Sequence, residues 1–192
     1  MCQGCQNKVV ERAAYRVDHV GSFLRPKELV EAREKFSKGE ISQEELTKVE
    51  DKTITELVEK QIANGLKGVT DGEFRRAYWH LDFFWGLNGV EHVQGEKGYP
   101  FKGIETKPDT AKVSGKISGE NHPFVAHYKF LRDLVADKEG VTVKLTIPSP
   151  SQLYFELIRT EDHIKGYEKF YPTFEELKDA IVAAYKQVIA DL

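Results

Sequence analysis

Asp18-His19-Val20-Gly21-Ser22-Phe23-Leu24-Arg25-Pro26 and Val69-Thr70-Asp71-Gly72-Glu73-Phe74-Arg75-Arg76 are the two stretches that decide how this chain reads. In each, apolar residues run into a glycine flanked by a hydroxyl or a carboxylate. That is the pattern of a buried strand handing over to a loop, and α/β proteins hold their ligands at such strand ends. A glycine there lets a ligand approach the backbone, while Ser22 and Glu73 supply polar groups that fix a small molecule.

Working outward, the sequence alternates strand and helix. Tyr15 to Val20 reads as a first strand, and Pro26 opens a helix to about Lys38 with Leu29, Val30, Ala32 and Phe36 as its apolar side. Gly39 ends it. The capping box Ser42-x-x-Glu45 starts a second helix carrying Leu46, Val49, Thr53, Leu57, Val58 and Ile62, which stops at Asn64-Gly65. A short strand, Lys67 to Thr70, follows. The order strand, helices, strand is a right-handed crossover, which places the tips after Val20 and Thr70 at one end of a parallel sheet.

Residues 77 to 120 interrupt this order with an aromatic run, Tyr78, Trp79, Phe83, Phe84 and Trp85, and then Gly- and Lys-rich sequence in which Val113 and Ile117 suggest a hairpin strand. They read as a long insertion above the mouth of the sheet. Pro123 opens a helix to about Ala136, and Val141 to Ile147 is the clearest strand of the chain, ending in the loop Pro148-Ser149-Pro150-Ser151. A second capping box, Thr173-x-x-Glu176, begins a last helix with Leu177, Ile181, Tyr185, Val188 and Leu192 on one face. That helix has no capping residue at its end, so the chain reads as cut short. The expected fold is α/β: residues 15–192 as the N-terminal portion of a (β/α)8 TIM barrel, about three parallel strands with helices, preceded by a flexible tail over 1–14. The missing strands would come from the rest of the protein, a partner chain or self-association.

Composition limits the partners. With 192 residues, 40% hydrophobic and 31% charged, and a net charge of −3, the chain suits a protein with one sizeable core and gives no reason to expect nucleic acid or a membrane as partner. No apolar run approaches the roughly 18 residues of a membrane span, and the polar start does not resemble a signal peptide, so a cytoplasmic location is expected. Cys2 and Cys5 form a Cys-x-x-Cys, but two thiols at a chain end lack the βαβ context of a redox pair and supply at most half of a zinc site; free thiols are expected.

Together with Trp79, Asp82-Phe83 and Leu145-Thr146-Ile147-Pro148-Ser149-Pro150 behind them, the two opening motifs resemble the catalytic barrel of cobalamin-independent methionine synthase, in its short, single-barrel form. The resemblance runs from about Arg16 to Leu192. It implies a methyltransferase of methionine biosynthesis, in which zinc holds homocysteine as thiolate and a methyl group passes from 5-methyltetrahydrofolate to sulfur, without cobalamin. Metal coordination has a physical purpose there, because a free thiol with a pKa near about 8.5 is mostly protonated at neutral pH. The resemblance implies that Gly21 and Ser22 hold the homocysteine carboxylate and that Glu73 pairs with its ammonium group. Ser149, Ser151 and Tyr154 fall on the folate side, where the family has Trp in place of Tyr154. Arg75, Arg76 or Lys144 are candidates for a folate glutamate tail.

The family's zinc ligands, a His-x-Cys pair, a Glu and a second Cys, come from later strands and are absent from this sequence, as is an Asp that helps bind the substrate amine. His19, His80, His92, His122, His127 and His163 show no ligand spacing, so neither a metal site nor a catalytic residue is assigned to this chain. A non-catalytic amino-acid-binding module and a metal-free decarboxylase-like barrel are the alternative readings. Each key residue also has a structural reading: Gly21 as a tight turn, Ser22 as a helix cap, Glu73 as a partner of Arg75 or Arg76.

Overall fold

The computed structural model describes residues 18–95, 98, 102–103 and 106–192. The tail over 1–14 with its two thiols and the beginning of the expected first strand, Tyr15 to Val17, lie outside them. Asp18 to Val20 belongs to no strand, so the parallel sheet among the described residues has one pair rather than about three strands.

The first two helices follow from their capping residues. α1 (Lys27–Ser37) starts behind Pro26, and α2 (Gln43–Ala63) starts at Ser42, whose hydroxyl accepts from the Glu45 amide while the Glu45 side chain accepts from the Ser42 amide. Both end alike, with Gly39 and Gly65 in the left-handed conformation. Amides at and just beyond each glycine turn back to carbonyls of the last turn, including Glu40 to Lys35 and Leu66 to Gln61. α1 buries Leu29 and Ala32 only; Val30 and Phe36 of its expected apolar side are exposed.

β1 (Gly68–Val69) pairs in parallel with β4 (Thr142–Val143), extended at each end by the Thr142 amide on the Lys67 carbonyl and the Lys144 amide on the Val69 carbonyl. The expected strand over Val141 to Ile147 is therefore much shorter, and β1 explains why. At Thr70 the chain leaves the ladder, because the Gln61 side chain accepts from the Thr70 amide at 3.0 Å and donates to its carbonyl at 2.8 Å. Beyond Lys144 the chain has no backbone partner on that side among the described residues. The Arg76 guanidinium meets the Thr146 carbonyl instead, at 2.8 Å.

Between these strands the chain forms α3 (Leu81–Trp85) and an antiparallel hairpin, β2 (Asn88–Gln94) with β3 (Asp109–Ser118), as expected within the insertion. The hairpin is no free excursion. Val90, Ala111, Val113 and Ile117 join Phe83, Phe84 and Phe124 in a cluster completed by α5 (Pro150–Leu157) and α7 (Phe174–Asp191), while α6 (Glu161–Glu168) packs on β3. A second cluster gathers Leu29, Ile54, Val58, Val69 and Phe74 around the far end of α4 (Pro123–Leu134), at Leu131 and Val135.

The hairpin is also pinned by polar contacts. Asp109, 6% exposed, accepts from the Tyr78 hydroxyl and lies 2.6 Å from His92 Nε2, whose ring stacks against Trp85. The Tyr78 hydrogen bond, then that of His92, holds the Asp109 carboxyl below the ordinary range against the opposing effect of burial, and the Tyr78 hydroxyl is pushed up to about 12, first by burial. A lowered carboxylate pKa stabilises the fold fully above the unfolded value of about 4 and loses that contribution as pH falls through the lower folded value. Asp109→Asn is thus expected to melt below the wild type at neutral pH, with the gap shrinking in melts below about pH 3.

Candidate functional site

Two loops that are 51 residues apart in sequence meet at Glu73. The Phe23 amide donates to the Gly72 carbonyl at 3.1 Å, and the Ser22 hydroxyl donates to Glu73 Oε2 at 2.6 Å. Ser22 and Glu73 are thus in contact, with Gly21 next to Ser22 in the chain. Ser22 is exposed, whereas Glu73 is 4% exposed.

The turn that presents Glu73 is unusual. Gly72 and Glu73 both have left-handed backbone, with φ of 65° and 58°, and only the first is a residue that adopts it freely. Side chains of the same loop secure it: the Gly72 amide donates to Thr70 Oγ1 and the Glu73 amide to Asp71 Oδ1. From the other loop Arg25 Nη2 reaches the carbonyls of Glu73 at 2.9 Å and Arg76 at 2.7 Å. The backbone strain at Glu73 is held in place by these contacts, an arrangement that often accompanies a side chain placed for binding.

The Glu73 carboxylate is divided between two sides. Oε1 accepts from Thr146 Oγ1 at 3.1 Å and lies 3.5 Å from Arg76 Nη1, which also reaches the Thr146 hydroxyl and the Trp79 carbonyl. Oε2 faces the exposed Ser22 hydroxyl. Burial lowers the Arg76 pKa, opposed by Asp71, Glu73 and Asp82, and its guanidinium also lies over the Phe124 ring at 4.5 Å. An arginine so placed remains charged and supplies the positive partner that a buried carboxylate needs. Beside Ser22, Gly21 has open space where a side chain would begin, and the His19 ring bonds the Gly21 carbonyl and stacks on Phe23 at 3.7 Å.

The structural reading of Glu73 as a partner of Arg76 holds. Thr146 and Arg25, which reading the sequence left without a role, complete the constellation. The positional signal for Thr146 was present, since it follows β4 as Gly72 follows β1.

The other candidates lie apart. Ser149 caps α5, accepting from the Gln152 amide and lying 2.8 Å from the Ser151 hydroxyl. Tyr154 packs against Phe174 with ring centres 5.0 Å apart. Among the described residues no hydrogen bond joins Ser149, Ser151 or Tyr154 to Ser22 or Glu73. Arg75 turns away into α2, where it pairs with Glu50 at 3.1 Å and Asp51 at 2.5 Å over the Phe130 ring, and Lys144 pairs with Asp18 at 2.5 Å. No group of three His, Cys, Asp or Glu suited to a metal exists among the described residues. Their side chains therefore do not fit the zinc that the resemblance implies. No helix among them is long and apolar enough to cross a membrane.

Fold and site together define a mixed α/β protein with a parallel strand pair and a buried carboxylate at the joined loop tips. The chain shares 38% identity and a TM-score of 0.69 with a Listeria monocytogenes structure described as a candidate vitamin-B12-independent methionine synthase, over 91% of this chain and 46% of that one. It also matches the fold of a B12-independent methionine synthase from Shewanella sp. W3-18-1, solved with selenomethionine, with a TM-score of 0.57 and 21% identity over 79% of this chain and 40% of that one. No family model matches. Among curated proteins it is 41% identical over 186 residues to the uncharacterized protein YxjH and 40% identical over 177 residues to the uncharacterized protein YxjG, both of Bacillus subtilis strain 168. These alignments take in 97% and 91% of this chain but 47% and 46% of the relatives, so the chain spans about half their length.

Proposed function

We propose that this chain is the homocysteine-binding part of a cobalamin-independent methionine synthase, the N-terminal portion of its barrel, acting in methyl transfer from a methyl-folate to homocysteine. The observation that carries the reading is the meeting of Ser22 with the buried Glu73 at 2.6 Å, at the tips of two loops far apart in sequence. Likeness to the Listeria structure over most of this chain supports the methionine-synthase reading.

In this reading the ammonium group of homocysteine docks on Glu73 Oε2, while its carboxylate takes the Ser22 hydroxyl and the backbone amide of the Gly21 loop. A carboxylate opposite an ammonium and a hydroxyl opposite a carboxylate fix both ends of the amino acid by charge-assisted hydrogen bonds. Rotation about its own bonds then leaves only the side chain free to present sulfur to the donor. In this reading the zinc ligands, absent from this sequence, and the remaining strands come from the rest of the protein, a partner chain or self-association, and Ser149, Ser151 and Tyr154 stand on the donor side. Calorimetric titration of the chain with L-homocysteine and with L-methionine tests the proposal. Saturable binding of both is expected; absence of heat with either would remove the amino-acid assignment.

A further inference from the structure

A second group of polar side chains is assembled where α5 and α6 pack on the hairpin. Thr110 of β3, Glu156 of α5 and His163 of α6 are all buried, and with the exposed Thr160 they form one chain of hydrogen bonds. Counting protons gives that chain a direction. The Thr110 hydroxyl donates its one proton to Glu156 Oε1, which Arg159 also approaches at 3.6 Å, so toward His163 Nε2, 3.2 Å away, its oxygen can only accept. His163 Nε2 therefore carries a proton. Burial lowers the pKa of this ring, opposed by Glu156 and Asp162 and helped by Lys112 and Arg159, so the ring is neutral at pH 7 and Nδ1 bears a lone pair. The Thr160 hydroxyl, 2.7 Å from Nδ1, is its donor.

We infer that Thr160 is a hydroxyl nucleophile that accepts acyl groups from small esters, with His163 as its base and with Thr110 and Glu156 holding the ring in the required tautomer. A hydroxyl on an imidazole lone pair, with the opposite ring N–H held by an acceptor, is the arrangement that activates a weak oxygen nucleophile. There is room for a substrate beside it: Thr160, His163 and Thr110 line a cavity of about 690 Å³ that extends past Arg159 to Val93 and Gln94 of β2. Thr160 also caps α6, accepting from the His163 amide at 3.4 Å. Helix geometry leaves the amides of Glu161 and Asp162, residues of the same cavity wall, without an intrahelical carbonyl. In the reaction Thr160 Oγ1 adds to the ester carbonyl carbon as its proton passes to His163 Nδ1, and those two amides are the donors beside the nucleophile for the oxyanion that forms. The bond to the leaving oxygen then breaks, the departing alkoxide takes the proton from Nδ1, and the acyl group stays on Thr160. Water, giving its proton to the same nitrogen, repeats the sequence and releases the acid.

Two probes on the full chain test this. A fluorophosphonate, which such a hydroxyl captures irreversibly with loss of fluoride, is followed by peptide mapping in a mass spectrometer, and hydrolysis of p-nitrophenyl acetate is followed by release of nitrophenolate. The adduct is expected on Thr160, and Thr160→Ala is expected to lose both the adduct and the hydrolysis, while Thr160→Ser keeps both. His163→Gln, checked by a thermal melt, should slow both reactions by about 100-fold or more, the effect of removing a general base. Thr110→Val, of nearly the same shape, should slow them as well, and it reads the same relay if the glutamine variant does not fold. A wild-type chain with no adduct on Thr160 overturns the inference. So does an adduct that forms equally fast in a folded His163→Gln or Thr110→Val variant, which would leave Thr160 as a helix cap alone. Neither result touches the role of Glu73.

Discussion

Glu73→Gln is expected to weaken binding of L-homocysteine or L-methionine by about 10- to 100-fold, the equivalent of one charge-assisted hydrogen bond to a buried carboxylate. The amide keeps the shape of the side chain and its carbonyl oxygen still accepts from a hydroxyl, so Ser22 or Thr146 retains a partner. What disappears is the negative charge that an ammonium group would meet. Arg76 loses its carboxylate at the same time, yet its hydrogen bonds to the Thr146 and Trp79 carbonyls and its position over Phe124 remain. Folding should therefore survive with a loss of about 1–3 kcal/mol, and calorimetry beside a thermal melt separates the two effects. Equal affinity in variant and wild type would remove Glu73 from the site.

Gly72→Ala should produce the largest loss of stability, because two independent costs fall on one atom. The backbone there has φ of 65°, which a residue with a Cβ adopts with strain. The added carbon would also stand 2.5 Å from Leu57 Cδ2, 3.2 Å from Phe74 Cε1 and 3.3 Å from Phe23 Cβ. Phe74 is 1% exposed, and Leu57 and Phe23 pack on the same apolar cluster, so none yields without disturbing it. Strain and overpacking together amount to about 2–4 kcal/mol, a fall of about 5–15 °C in melting temperature for a chain of this size. Since Phe23 carries the hydrogen bond to the Gly72 carbonyl, the same change should loosen the junction of the two loops. An unchanged melt would mean that the turn is not the rigid support proposed for Glu73.

The helix starts and the glycine stops could be read from sequence because they are local: the full capping box of Ser42 with Glu45, the Thr173 hydroxyl accepting from the Glu176 amide, where only half of the expected box forms, and the turns at Gly39 and Gly65 each satisfy backbone groups within a few residues. The meeting of Ser22 with Glu73 was legible for a different reason, since both stand where an apolar run ends in a glycine. Regular pairing was not. Val141 to Ile147 has the composition of a long strand, but strand length is set by the neighbour, and Gln61 removes Thr70 from the ladder. α5 escaped notice because Ser149 between two prolines reads as loop, although Ser-Pro is also how a helix opens. Arg25 was invisible as a site residue because its role exists only once the loops meet, whereas Thr146 carried the positional signal of following β4.

The same reasoning explains why the arginine pair divides. Adjacent residues in a tight turn point to different sides, so Arg76 enters the site while Arg75 binds Glu50 on α2, where Arg33 also pairs at 3.2 Å. Burial raises the Glu50 carboxyl pKa, and the two guanidinium groups oppose that shift. Glu73 is thereby braced from one side by Arg76 and Thr146, and the loop carrying it is tied to α2 from the other.

A crystal structure of the chain with L-methionine tests the central claim most directly. The account predicts the ligand nitrogen within about 3 Å of Glu73 Oε2 and its carboxylate at the Ser22 side of the Gly21 loop. A ligand bound elsewhere, or none bound, would contradict it.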